Sequence, residues 1–141
     1  MAGALEITID IIIHATEVSS KFLDVFEESF GVPREKFSAV QSTGYYDNII
    51  TIQSARLQKS SAHTFLEILF KRLSKSQKDM ISEEFDKRLS GSKFHLRLGK
   101  QEFVTGTLAF KENDAIRLKI HTPIYNKKDA NRIFKELFQL D

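Results

Sequence analysis

The chain contains no cysteine, which excludes disulfide bridges and thiolate metal sites and fits a reducing intracellular compartment. It also lacks an excess of charge. Twenty-one basic residues stand against 19 acidic ones, a formal net charge of +2. A bulk polycation would attract nucleic acid on charge alone; here any anion-binding role has to come from local clustering. Long hydrophobic runs are missing too. The most apolar stretch, LEITIDIIIHA near the N-terminus, carries Glu6 and Asp10. It is too short and too charged to span a bilayer, and no basic flank of the secretory kind precedes it. A soluble, cytoplasmic protein is expected. The familiar catalytic signatures are absent as well: no Gly-rich phosphate loop, no G-x-S-x-G, no H-E-x-x-H. His14, His63, His95 and His121 have no metal-ligand spacing, so the sequence leads us to expect neither enzyme, cofactor nor metal.

What is present is enough for one folded domain. The chain has 141 residues, 41% of them hydrophobic and 12 of them Phe, so a single core is within reach. Leu5, Ile7, Ile9, Ile11 and Ile13 recur at a period of two, which predicts a half-buried strand; at Ile12 the outer face turns apolar as well. HATE follows at 14–17, with Thr16 a candidate N-cap. Val18, Phe22, Val25, Phe26 and Phe30 keep helical spacing until Gly31 and Pro33 stop the helix. Residues 37–43 and 48–57 predict a hairpin around Gly44, Asp47 and Asn48.

Ala62, Phe65, Leu66, Leu69, Phe70 and Leu73 form the clearest helical stripe. Ser74 with Gln77 is a capping-box pattern, opening a helix to about Leu89. Three strands are expected next, at 93–98, about 102–110 and 115–121. Asn126 and Asp129 then precede a last helix whose stripe is Ala130, Ile133, Phe134, Leu137 and Phe138. The order β-α-β-β-α-α-β-β-β-α predicts a single α+β domain, with a mostly antiparallel sheet and helices packed on one face. The other face would be polar and open.

That open face is the first candidate site. In FHLRLGKQEF at 94–103, Phe94, Leu96 and Leu98 alternate with His95 and Arg97, while Ile116, Leu118 and Ile120 alternate with Arg117, Lys119 and His121. With the apolar sides inward, His95, Arg97, Arg117, Lys119 and His121 share the outer face, and Lys100 stands at the end of that ladder. Such a cluster can hold several phosphates. The plainer alternative is a wetted sheet face on which Glu6 and Asp10 pair with these cations across strands. A second candidate is the hairpin, where Tyr45 and Tyr46 could stack on unpaired bases and Asn48 could read them; a tight turn with one tyrosine folded inward would have the same sequence. A third is His14, at a strand-to-helix junction able to receive an anion, although Thr residues at such junctions more often simply cap.

Taken in order, these segments resemble a family of small archaeal proteins described as RNA-binding proteins or predicted exosome subunits. The family pattern has a strand ending in HATE, a G-x-Y-G-N hairpin, an LRLDKQ strand, a G-x-L strand and a D-x-I-R-V-K-I strand. Here they stand as HATE (14–17), GYYDN (44–48), LRLGKQ (96–101), GTL (106–108) and DAIRLKI (114–120), covering nearly the whole chain. The resemblance implies a fold similar to large-subunit ribosomal protein L five, an RNA-linked role, and exosome or ribosome-related proteins as partners. Asp47 and Gly99 depart from the pattern; the second removes a carboxylate and makes the patch more basic.

The reading that follows is a non-catalytic RNA-binding protein. Arg97, Lys100, Arg117 and Lys119 would contact phosphates, with His95, His121 and His14 beside them. Gln101 and Asn48 would hydrogen-bond bases or riboses, and Tyr45 or Tyr46 would stack. The alternative is a protein-interaction or homo-oligomerisation module, a homodimer being its simplest form.

Overall fold

The apolar alternation that opens the chain sets the centre of the sheet. A computed structural model describes residues 4–43 and 48–140. In it β1 (Glu6–Ile13) buries Ile7, Ile9, Ile11 and Ile13 and turns Glu6, Thr8, Asp10 and Ile12 outward. On its two sides lie β3 (Ile49–Gln58) and β6 (Ala115–His121), both antiparallel to it. The hairpin partner of β3 is β2 (Phe37–Thr43), and β5 (Lys93–Gly99) extends the other side, followed by the two-residue β4 (Leu89–Ser90). The resulting six-stranded order is β2-β3-β1-β6-β5-β4.

The helices cover the face that carries the isoleucines. In α1 (Ser19–Phe30) the stripe Phe22, Phe26 and Phe30 is buried. Gly31 ends this helix at φ 67°, a left-handed conformation that glycine adopts without strain, and its N–H reaches back to Phe26 O. The long α2 (Lys59–Arg72) buries Ala62, Phe65, Leu66, Leu69 and Phe70. The expected capping box opens α3 (Lys75–Glu83), with Ser74 Oγ accepting from the Gln77 N–H and Gln77 Oε1 from the Ser74 N–H. The helix does not continue unbroken to Leu89: Glu84 interrupts it, α4 (Phe85–Arg88) adds one turn, and Leu89 already pairs as β4. At the end, Asn126 caps a short 3-10 turn through Lys128 N–H and leads into α6 (Ala130–Leu137).

Phenylalanines divide the core into two clusters. Phe26 lies within 4.6–6.4 Å of the rings of Phe30, Phe37, Phe65 and Phe103. At the other end Phe138 meets Phe70, Phe85, Phe94 and Phe134.

Two expectations are corrected. No strand runs from 102 to 110: Lys100–Val104 form α5, and only its tail rejoins the sheet. There Gly99 N–H donates to Ala109 O at 2.8 Å and Lys111 N–H to Arg97 O at 3.2 Å. The alternation of the segment gave way to the burial of Phe103, whose ring sits 4.6 Å from Phe26 and 5.8 Å from Phe30. Nor does Thr16 cap α1. Val18 occupies the cap position without a side-chain bond, and residues 14–17 form a turn closed by Glu17.

Candidate nucleic-acid interface

Strand register decides which side chains meet on the open face. Between β5 and β6 it aligns Lys93 with His121, His95 with Lys119, and Arg97 with Arg117. These six side chains lie on the outer face, opposite the buried Phe94, Leu96, Leu98, Ile116, Leu118 and Ile120. Same-face residues along a strand are about 6.7 Å apart and neighbouring strands about 4.8 Å, so the patch is a stripe about 13 Å long and two strands wide. Lys93 belongs to it although the sequence reading passed over it; the period of two, carried one step back from His95, would have found it.

Two acids of β1 stand beside this stripe without forming an ion pair with it. Glu6 stands opposite His121, yet its Oε1 lies 2.7 Å from Arg56 Nε on the far side of β1. Asp10 stands opposite Arg117, and it accepts a 2.6 Å hydrogen bond from Ser54 Oγ. Among the described residues, Lys93, Arg117, Lys119 and His121 form no ion pair, and Arg97 has only Glu112, at 4.0 Å, with its Nη1 donating to Glu112 O at 2.9 Å. His95 responds to this field. Its pKa is lowered by partial burial first, then by the charges of Lys119, Arg97 and Lys93.

Lys100 is a correction. It is not the outer end of the ladder but a buried strut, 4% exposed. Its ammonium donates to Ile12 O, to Glu17 Oε1 at 3.0 Å and to Asp114 Oδ1 at 2.9 Å. Asp114 accepts from His14 Nε2 at 3.0 Å as well, and Glu17 Oε1 from the His14 N–H at 2.8 Å. Lys100, then His14, hold the Asp114 carboxyl below its ordinary range, against the opposing effect of burial. Segments 14–17, 96–101 and 114–120 therefore meet at one node. There the Lys100 ammonium is buried and both Lys100 and His14 bond to carboxylates of the chain itself.

A side chain at Gly99 beside it would have to displace two flexible neighbours. An added Cβ would collide with the Glu102 carboxylate and come within 2.8 Å of Lys111 Cγ. Glu102, ion-paired with Lys111 at 3.6 Å, thus fills the space that an acidic residue at position 99 would enter. Gln101 is exposed on α5, away from the two cationic strands, and Asn48 is exposed at the start of β3. Tyr45 and Tyr46 lie outside the described residues. An aromatic the sequence reading missed is Tyr125, 95% exposed, in the segment after β6.

Beyond the stripe the outer face carries Glu6, Thr8, Asp10, Ser54 and Arg56, with one apolar row toward the β2 edge. Val40, Ile52 and Ile12 stand in one row across β2, β3 and β1, with Val40 62% exposed. Among the described residues, no group of three or more His, Asp or Glu could hold a metal ion, and no helix is long and apolar enough to cross a membrane.

A family model described as RNA binding matches residues 6–122. The chain belongs to that family. Several solved structures similar to it come from archaea. A DUF54 protein from Sulfolobus solfataricus is 25% identical, with a TM-score of 0.75 over 95% of this chain and 98% of that one. A DUF54 protein from Archaeoglobus fulgidus is 20% identical, with a TM-score of 0.77 over 94% and 97%. A UPF0201 protein from Methanococcus jannaschii is 18% identical, with a TM-score of 0.62 over 94% and 98%. No curated protein matches the sequence. Family and neighbours agree with the α+β fold expected from the sequence, and the family's description agrees with an RNA-linked role.

Proposed function

We propose that this member of the RNA-binding family is a non-catalytic protein that holds RNA phosphates on the outer face of β5 and β6. The observation that carries the reading is the register: three pairs of cationic or protonatable groups stand directly opposite one another. Like charges facing across a ladder destabilise a sheet. Arg97 and Arg117 form such a pair: the fold gains nothing from it, whereas an anion laid along it turns repulsion into attraction. The engagement of Glu6 with Arg56 and of Asp10 with Ser54 supports the same reading, because both acids lie next to the stripe without pairing to it. Lys93, Arg97, Arg117 and Lys119 are the phosphate contacts; His95 and His121 lie between them.

Filter binding of RNA across a salt series tests this. Four phosphate contacts give a log–log slope near about −3 on single strands. Substituting Arg117→Ala should weaken binding and flatten the slope by nearly one contact's worth. Affinity insensitive both to salt and to Arg117 and Lys119 would sink the idea. Company with the exosome or with ribosomal proteins, implied by the resemblance, is part of the proposal, and co-purification of those subunits with the tagged protein is its check.

A second reading rests on a different edge. All of β2 after Phe37 is exposed, it has a strand neighbour on one side only, and its sequence FSAVQST carries no charge or proline to discourage pairing. A second copy of the chain, joined antiparallel through β2, would extend the sheet into a homodimer while keeping both cationic stripes on one face.

A further inference from the structure

Beyond the stripe, the outer face meets a cleft of about 530 Å³ between α4 and β5, lined by Glu84, Lys87, Arg88, His95, Arg97 and Glu112. Its construction differs from that of the open sheet. The Arg88 side chain is 10% exposed; its Nη2 lies 2.8 Å from Glu84 Oε2, and its guanidinium sits 5.2 Å from the Phe110 ring centroid. Among the described residues its Nε is buried without a partner. Arg88 is thus a fixed positive wall. Arg97 forms the opposite side, held by the Glu112 backbone oxygen at 2.9 Å. The two carboxylates of the cleft therefore each lie toward a guanidinium: Glu84 at 2.8 Å, Glu112 loosely at 4.0 Å. Lys87 and His95 have no ion pair among the described residues.

We propose that this cleft is a phosphate pocket for the terminal phosphomonoester of an RNA chain lying on the β5–β6 stripe. The inference rests on the RNA reading above and adds to it a chain end. Position supports an end. The rows Lys119–His95 and Arg117–Arg97 lead across the sheet to the cleft, and past β5 the sheet has only the two residues of β4 before α4 closes the side. Charge supports it as well. A terminal phosphate carries close to two negative charges near neutral pH, where an internal diester carries one. With His95 neutral, Lys87, Arg88 and Arg97 against Glu84 and Glu112 leave a single excess positive charge in the cleft.

His95 supplies the second. It is faced by Lys93 and Arg97 on its own strand, Lys119 on β6, Lys87, Arg88 and Glu84 around α4, and Glu112 from the turn before β6. Cations dominate that set and disfavour the imidazolium. A bound phosphate reverses the field, so binding takes up a proton at His95 and tightens as pH falls through the imidazole range.

The test compares three short RNAs of one sequence, bearing a 5′-phosphate, a 3′-phosphate or hydroxyls at both ends, with inorganic phosphate as a fourth probe read on the His95 imidazole resonance. One phosphorylated RNA should bind about tenfold tighter than the hydroxyl form, the scale of one charge-assisted contact. Lys87→Ala and His95→Gln should each erase that preference, while Lys119→Ala weakens all three RNAs alike. Inorganic phosphate should raise the His95 pKa. RNA bound with equal affinity whatever its ends, or an end preference that survives both cleft variants, overturns the pocket and leaves the stripe reading standing. Binding of none of the three RNAs overturns both. Circular dichroism of each variant separates a lost site from a lost fold.

Discussion

Lys100 illustrates how far one residue's role depends on where its atoms end up. As a surface phosphate contact it would be dispensable to folding. As a buried ammonium bonded to Ile12 O, Glu17 and Asp114, it holds the end of β1 to the start of α5 and the start of β6. Removing one member of a fully buried pair costs about 3–5 kcal/mol; Asp114 is 60% exposed and can rehydrate, which reduces the penalty. Lys100→Met should therefore lower stability by about 2 kcal/mol in urea unfolding. A variant with unchanged stability and weakened RNA binding would restore the sheet-end role instead.

His95 gives a pH prediction at the same scale. Its folded pKa is lowered, by burial first and by Lys119, Arg97 and Lys93 next. As pH falls below the ordinary histidine range the unfolded chain takes up a proton that the folded chain resists, so stability present above about pH 6.5 declines until the folded pKa is reached. In His95→Gln the fall in thermal midpoint across that window should be smaller than in the parent protein. An identical pH profile in both would show that the imidazole does not sense the cluster.

Among elements, the pair β5–β6 carries the functional argument and also its cost. Arg97 and Arg117 face each other, and Arg117 has no acid partner among the described residues. Arg117→Gln should leave stability unchanged or raise it by up to about 0.5 kcal/mol at low salt, while weakening RNA binding. Equal and opposite behaviour, a stability loss with RNA affinity retained, would mean that the arginine serves the sheet. The element α5 makes a different point. FHLRLGKQEF contains both a strand and the helical turn after it; Lys100 breaks the alternation where β5 ends, but nothing in the pattern says that a helical turn follows. Burial of Phe103 against Phe26 and Phe30 decides that, through contacts made by α1 far earlier in the chain.

Over the whole molecule the outer face divides in two, with cations on β5 and β6 and the apolar row Ile12, Ile52 and Val40 toward the β2 edge. The edge reading expects a dimer by light scattering at micromolar concentration. Val40→Lys places a charge beside that edge and should shift the population to monomer without altering the fold. A monomer at all concentrations removes the second copy and leaves the stripe untouched.

The alternation of β1, β5 and β6, the helical stripes with their Gly31 stop and Ser74–Gln77 cap, and hence an antiparallel sheet with helices on one face, are written in the residue order alone. These are local properties: a period of two or 3.6 reports which side of an element is apolar whatever the element packs against. What stands beside what came from the packing of the folded chain. That packing set the register that opposes Arg97 to Arg117, turned Glu6 and Asp10 toward β3, and brought Glu17 to Lys100 across 83 positions of sequence. No periodicity encodes those distances, because ion pairs and strand neighbours are chosen by the packing of the whole chain. The stripe was legible as two basic strands; that Glu6 and Asp10 form no ion pair with it, and that it ends in a cleft, was not.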